Sequence, residues 1–257
     1  MLELKHIEKV FNKGTIDEKI LFGDFNLSVK ENEFVTVVGS NGSGKTTMLN
    51  IVSGDISADS GKQILCGEDI TGLKNYKRAK NIARVFQNPV SGTCPSMTIF
   101  ENMSMADNKG KFFGLTRGKN KKRESFYKEQ LSTLAMGLEN RLDTKTGALS
   151  GGQRQALALI MATLTPPKLL LLDEHTAALD PKSAETVMEL TDKIVKEKKL
   201  TTVMVTHNLR YAVEFGTRTI MMHEGNIILD VSGKERENYK IDDYLKLFNE
   251  ISIECGN

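Results

Sequence analysis

Phe34-Val-Thr-Val-Val-Gly39-Ser-Asn-Gly-Ser-Gly44-Lys45-Thr46 is the stretch from which the rest of the chain is read. Its first six residues form a short, nearly unbroken apolar run closing on a glycine, as a strand buried on both faces of a parallel sheet does. Gly39 and Gly44 then bracket four residues and are followed by Lys45 and Thr46, the spacing of a phosphate-binding P-loop. The context supports the motif, with a strand before it and a helical segment, Thr46 to Val52, after it. Glycines let the backbone turn tightly, so that N–H groups from Gly39, Ser40, Asn41, Gly42, Ser43 and Gly44 can face one anion. The helix N-terminus, with Thr47 in its first turn, adds a positive dipole end. Lys45 suits β- and γ-phosphates, and the Thr46 hydroxyl suits Mg²⁺. The plain alternative is a glycine turn beside an exposed lysine.

Working outward, two more apolar runs read as buried strands: Leu169 to Leu172 and Thr201 to Val205. Helical patterns separate the runs, which predicts an α/β fold with a mostly parallel sheet and flanking helices. Leu2 to Val10 and Ile20 to Val29 look half-exposed and predict a small antiparallel β layer. Between Met97 and Leu149 strand-like runs stop and a helical region is expected. The composition is that of an ordinary globular chain, with 257 residues, 39% hydrophobic, 26% charged and a net charge of +2. So small a charge gives no footprint for nucleic acid or membrane. Cys66, Cys94 and Cys255 are scattered and odd in number, which builds neither a disulfide framework nor a metal site. The N-terminus carries no signal-peptide pattern, and no run approaches the ~20 apolar residues that span a bilayer. Any membrane part is expected from another chain.

Asp173 and Glu174 follow the leucine run directly. Two acids at the end of a buried strand stand at the carboxyl edge of a sheet, where Asp173 suits Mg²⁺ and Glu174 suits a general base. A strand ending in solvated acids is the bland reading, weakened by the P-loop upstream. The segment Leu149-Ser150-Gly151-Gly152-Gln153 is far more specific. Ser150 reads as the N-cap of a helix from Gln153 to Ala162, and the N–H groups of Gly151, Gly152 and Gln153 would make an anion site. Together with the P-loop and the acid pair, this pentapeptide resembles the signature of the ABC ATPases, and the resemblance runs from about Leu2 to about Ser232.

That resemblance implies a P-loop NTPase fold: an ATPase domain over residues 1–232, with a helical subdomain of about 88–152 carrying the signature and inserted in a RecA-like core. A short tail, 233–257, is expected to pack back on the core. It further implies that the signature binds the γ-phosphate held by another copy's P-loop, so the active form is a homodimer around ATP and Mg²⁺. Gln87, in Val85-Phe-Gln-Asn-Pro89, resembles the loop glutamine that contacts Mg²⁺ and the attacking water. Asp180, in Ala178-Leu-Asp180, resembles the loop that crosses the dimer interface, although it also reads as a helix cap before Pro181. His207 resembles the switch histidine that touches the γ-phosphate and orients Glu174. Phe11 matches the adenine-stacking aromatic, with Phe22 as competitor. The chain departs from the family at His175, where many members have proline, which leaves the loop's stiffness in question.

The resemblance also implies a use for the ATPase. A single cassette of this kind resembles subunits that power a separate transmembrane permease from the cytoplasmic face of the membrane. Arg84-Val-Phe-Gln-Asn-Pro and the short tail favour import of amino acids or other small solutes, with an extracytoplasmic solute-binding protein as a further partner, over export. Families acting on nucleic acid or ribosomes carry paired ATPase units, coiled coils or zinc-bearing insertions. None is read here, so no nucleic-acid partner is expected. A regulatory subunit with weak turnover is disfavoured by the intact Lys45, Asp173, Glu174 and His207. Basic residues crowd positions 109–128, from Lys109 through Lys111, Arg117, Lys119, Lys121, Lys122 and Arg123 to Lys128. They read as a solvated face, with anionic lipid headgroups as the sharper alternative.

Overall fold

A computed structural model describes residues 1–110 and 121–254, with side chains to 249. The chain opens with β1 (Leu2–Phe11), β2 (Lys19–Val29), β3 (Phe34–Gly39), α1 (Lys45–Ser53), β4 (Ser60–Leu65), β5 (Glu68–Asp69) and α2 (Asn75–Arg78). It continues through β6 (Ile82–Val85), α3 (Ile99–Asp107), α4 (Glu124–Ser132), α5 (Gly151–Thr163), β7 (Leu169–Asp173) and α6 (Pro181–Glu197). It ends with β8 (Thr201–Val205), α7 (Leu209–Glu214), β9 (Arg218–His223), β10 (Asn226–Ser232), α8 (Gly233–Asn238) and α9 (Ile241–Glu254). The residues fall into two compact units, 1–78 with 201–257, and 79–200.

The first unit carries an antiparallel sheet in the order β2-β1-β4-β5 and a mixed run β10-β9-β3-β8. In the mixed run β3 lies parallel to β8, with Val37 opposite Val205, and parallel to β9, with Val37 opposite Ile220. Every residue of β3 and β8 is buried, the threonines Thr36, Thr201 and Thr202 included, as strands covered on both faces are. β1 and β2 alternate instead, and Leu2, Leu4, Phe22, Phe25 and Leu27 turn inward. β6, β9 and β10 carry no comparably clear signal in the sequence. β6 has only four residues and one of them is Arg84, and β10 is an edge strand with a mostly exposed pattern.

The second unit pairs β6 with β7 in parallel, Val85 opposite Leu172, and surrounds the pair with α3 to α6. Helix starts here are set by side chains. Thr98 and Glu101 form a reciprocal capping box at α3, and Asp180 followed by Pro181 starts α6. Several described members of the basic stretch have internal partners. Lys109 Nζ donates to the Ile82 carbonyl at 3.2 Å, and its burial pushes its pKa down. The Arg123 guanidinium grips both Asp107 carboxylate oxygens, at 2.8 and 2.9 Å, and Lys128 pairs with Glu124 at 2.9 Å. These bonds favour a structural use of the stretch over a lipid-facing patch; Lys111, Arg117 and Lys119 lie outside the described residues.

Residues after β10 are tied closely to α7. Tyr244 of α9 is fully buried against Val38, Ala212 and Met221. From α8, Arg236 donates to the carbonyls of Ala212, Val213 and Phe215, at 2.9, 2.9 and 2.6 Å, and to Thr219 Oγ1 at 3.1 Å. A helix end leaves carbonyls without intrahelical partners and carries partial negative charge, so a guanidinium there satisfies both needs. Arg236→Ala should lower the unfolding free energy by roughly 2 kcal/mol, with Arg236→Lys intermediate, read from urea denaturation followed by circular dichroism. An unchanged midpoint in the alanine variant would mean that these four bonds contribute nothing.

Candidate functional site

The expected site residues are divided between the two units. In the first, β3 ends at Gly39 and the chain turns through Gly42 at φ 80° and Gly44 at φ 101° before entering α1. Gly44 is required on two grounds. Its φ is left-handed, and a Cβ there would lie 2.7 Å from the Phe22 ring. The loop closes with Ser43 N–H on the Ser40 carbonyl at 3.3 Å. Lys45 is 5% exposed and arches back over the loop. Its ammonium donates to the carbonyls of Gly39 and Ser40, both at 2.8 Å, and to Ser43 Oγ at 3.4 Å. A buried ammonium needs such acceptors, and anionic phosphate oxygens are stronger ones. Asn41 and Thr46 are exposed and Thr47 is half-buried.

His207 stands at the same carboxyl edge. Thr206 N–H bonds the Val37 carbonyl at 3.1 Å, so the chain leaves β8 beside the start of the phosphate loop, and His207 is exposed there. His223, at the end of β9, brings Nδ1 within 3.3 Å of Ser40 Oγ. Sequence reasoning missed it because its strand was not recognised. The two aromatic candidates separate cleanly. Phe22 is 1% exposed and packs on Phe25 with ring centroids 4.7 Å apart, so it has no face to offer a base. Phe11, at the end of β1, is half-buried with the Lys9 ammonium 5.5 Å from its ring centroid.

In the second unit the parallel pair β6 and β7 delivers Phe86 and Gln87 to one edge together with Asp173 and Glu174. Asp173 is 8% exposed and accepts from the Arg84 guanidinium at 2.5 Å. Sequence reasoning missed Arg84 as a site residue, although a charge inside Ile82-Ala-Arg-Val85 was its signal. Glu174 has φ 47°, a left-handed conformation that costs a non-glycine residue on the order of 1–2 kcal/mol. Next to it, His175 is 1% exposed and Nε2 lies 3.0 Å from Thr191 Oγ1 in α6. Burial pushes the His175 pKa down to about 4, so the ring is neutral near pH 7.

The signature residues open α5 as a capping box. Ser150 Oγ accepts from Gln153 N–H and Gln153 Oε1 accepts from Ser150 N–H, both at 3.2 Å. Gln153 N–H, expected as the third anion donor, therefore already has a partner, and Gly151 and Gly152 supply the helix-start donors. Gly152 is needed for packing, since a Cβ there would lie 2.9 Å from the Ser183 Cβ. The same helix reaches the glutamine loop through Gln155, fully buried, whose Nε2 donates to the Phe86 carbonyl at 3.0 Å. Asp180 accepts from Ser183 N–H at 3.1 Å, and the bonds from Ser183 hold its carboxyl below the usual range. Gln87 and Ser150 are exposed.

The first unit's loop fits a nucleotide triphosphate: two left-handed glycines, a helix N-terminus and a lysine already collecting oxygen acceptors. Among the described residues no cluster of three His, Cys, Asp or Glu could hold a metal alone. Mg²⁺ needs none when substrate phosphates supply oxygens; the Thr46 hydroxyl in the first unit and the Asp173 carboxylate in the second are each of a chemical kind that suits it. No described helix is long and apolar enough to cross a membrane.

The comparisons with known proteins agree with one another. The sequence model of the ABC transporter family matches residues 22–177. A tyrosine transport ATP-binding protein of Clostridioides difficile is 48% identical over 96% of this chain and 98% of its own. A spermidine/putrescine import ATP-binding protein of Haemophilus influenzae is 37% identical over 93% of this chain, which spans 59% of that relative. The ATP-binding cassette MJ0796, as a dimer in a post-hydrolysis state bound to ADP and Pi, matches with a TM-score of 0.75 at 30% identity, over 90% of this chain and 98% of that one. A second cassette, MJ1267 in its ADP conformation, matches over 100% of this chain and 99% of that one, with a TM-score of 0.80 at 26% identity. With its P-loop, its buried strand ending in two acids and its signature helix, the chain belongs to the ABC transporter family and is an ATP-binding, ATP-hydrolysing subunit that powers transport.

Proposed function

We propose that two copies of this chain close around two ATP molecules at the cytoplasmic face of the membrane and drive a separate permease that imports an amino acid of the tyrosine class. The 48% identity to a tyrosine transport subunit, along almost the full length of both chains, carries the cargo reading. The dimeric state of MJ0796 supports the paired arrangement.

Each residue has a task set by its chemistry. The loop N–H groups from Gly39 to Gly44 and the Lys45 ammonium bind the β- and γ-phosphates, with Thr47 following in the same helix start. Phe11, half-buried at the end of β1, stacks on adenine. Thr46, Asp173 and Gln87 would hold Mg²⁺, which would supply positive charge to offset that of the phosphates. Glu174 accepts a proton from the attacking water, and Gln87 and His207 orient that water and the γ-phosphate. From the other copy, Ser150, Gly151, Gly152 and Gln153 supply the second set of contacts to the γ-phosphate, and Asp180 lines the interface. These donors stabilise the charge that grows on the phosphoryl group, as an arginine finger does in other P-loop enzymes. Loss of the γ-phosphate removes the charge that bridges the copies, and the pair opens. The segment 88–104 beside Gln87 receives the permease, within a helical subdomain of about 88–152. Residues 233–257 act as a tail on the core.

Glu174→Gln should keep ATP affinity within a few-fold and lower turnover by about 10²-fold or more, the usual worth of a positioned proton acceptor. With ATP and Mg²⁺ this variant should elute from gel filtration as a dimer; a monomer at saturating ATP would refute the sandwich. Cells lacking the chain should lose uptake of labelled tyrosine and regain it with wild type but not with Glu174→Gln. A tagged Glu174→Gln chain should bring down a polytopic permease in near-equal amount from gently solubilised membranes. Normal tyrosine uptake in the deletion strain beside a captured permease would leave transport standing and reject the cargo.

A further inference from the structure

The strained backbone at Glu174 needs an explanation, because the residue after it lacks the proline common in the family. Glu174 holds φ 47° between the last residue of β7 and a fully buried histidine. His175 Nε2 lies 3.0 Å from Thr191 Oγ1, and Thr191 is itself fully buried in the third turn of α6. The proton positions follow from counting. A threonine hydroxyl has one proton, and Thr191 Oγ1 donates it to the Val187 carbonyl at 2.7 Å. Toward His175 the oxygen can only accept, so the ring carries its proton on Nε2 and donates it. The turn is closed on its other side by Ala177 N–H on the Glu174 carbonyl at 2.9 Å. Glu174 thus lies between the sheet on one side and, on the other, a turn that the His175 side chain ties to α6.

We propose that the His175–Thr191 hydrogen bond holds Glu174 in its left-handed conformation, which makes Thr191 a positioning residue for ATP hydrolysis. The inference rests on Glu174 being the proton acceptor. A proline at 175 would stiffen the turn through its own ring; here a side chain anchored in the neighbouring helix does so. The anchor is selective for the chemical step, since neither His175 nor Thr191 belongs to the loop that binds phosphate.

A double-mutant cycle tests this, with kcat, KM for ATP and the melting temperature measured for each variant. Thr191→Val keeps the shape and removes the acceptor; His175→Phe keeps a ring and removes the donor. Each should lower kcat about tenfold while KM stays within twofold. The double variant should be no slower than either single one, because both remove the same bond. Thr191→Ser, which keeps the hydroxyl, should stay within twofold of wild type. A lowered melting temperature with unchanged kcat would reduce the pair to a structural contact and overturn the proposal. So would losses that multiply in the double variant, or equal losses in Thr191→Val and Thr191→Ser. Should Thr191→Val prove too unstable to purify, the contrast of His175→Phe with Thr191→Ser decides alone. Glu174→Gln measured alongside separates the two levels: full turnover in that variant removes the proton acceptor itself, whereas a dead Glu174→Gln beside a normal Thr191→Val removes only the anchor.

Discussion

Strands buried on both faces leave the chain almost no freedom along their length, so the polar residues collect where the strands stop. β3, β7 and β8 are buried at every residue. Each hands over within a residue or two to a group that water or a ligand must satisfy: the glycine loop after β3, the acids at the end of β7, His207 after β8. Parallel pairing within each unit puts these handovers on a common edge, Val37 beside Val205 in one and Val85 beside Leu172 in the other. The ordinary demand that buried backbone be hydrogen-bonded thus gathers reactive side chains at the carboxyl ends.

Two of these handovers lead into a helix whose far, carbonyl end is held by an arginine. α1, which starts at the phosphate loop, ends on Arg78, whose guanidinium donates to the Ile51 and Val52 carbonyls at 2.9 and 3.0 Å. α7, which comes after His207, ends on Arg236 in the same manner. Arg78 is buried and Arg236 half-buried, and desolvation pulls their pKa values down. They stay charged at any physiological pH because an arginine starts so high. Each helix therefore presents its positive end, or the residue before it, toward the reacting edge, with its negative end matched by a fixed cation.

The fold was legible in the sequence wherever one residue class filled an element. Phe34 to Gly39 and Leu169 to Leu172 announced themselves because burial on both faces admits few polar side chains, and Thr36, fully buried within the first run, is hydrogen-bonded to the Arg218 carbonyl and to Thr219 Oγ1. Ser150 and Asp180 announced helix starts because few other side chains can accept from N2 or N3. The proposed catalytic set could be chosen from the sequence because phosphate chemistry demands particular residues at particular spacings. Contacts between residues far apart in sequence were not. Arg84 with Asp173, Gln155 with Phe86, and His175 with Thr191 join residues 89, 69 and 16 positions apart. No periodicity encodes such pairs, since they depend on which strand or helix lies alongside. Phe11 and Phe22 could be ranked only once burial was known, because an aromatic that stacks on a base and one that fills a core look alike in a string of letters.

These hidden pairs share a direction. Gln155 ties the signature helix to the carbonyl just before Gln87, and His175 ties the residue just after Glu174 to α6, whose own start is Asp180. In the proposed mechanism Gln87 and Glu174 serve the copy's own nucleotide, whereas the signature serves the partner's, and Asp180 lines the surface between them. Gln155 and Thr191 then lie between the two roles within a single unit. A shift of α5 or α6 on closing would be felt at Gln87 and Glu174 through two hydrogen bonds with little slack. Hydrolysis that waits for the partner needs no separate sensor under such an arrangement, because the helices carrying the partner-facing groups also hold the water-activating groups in place.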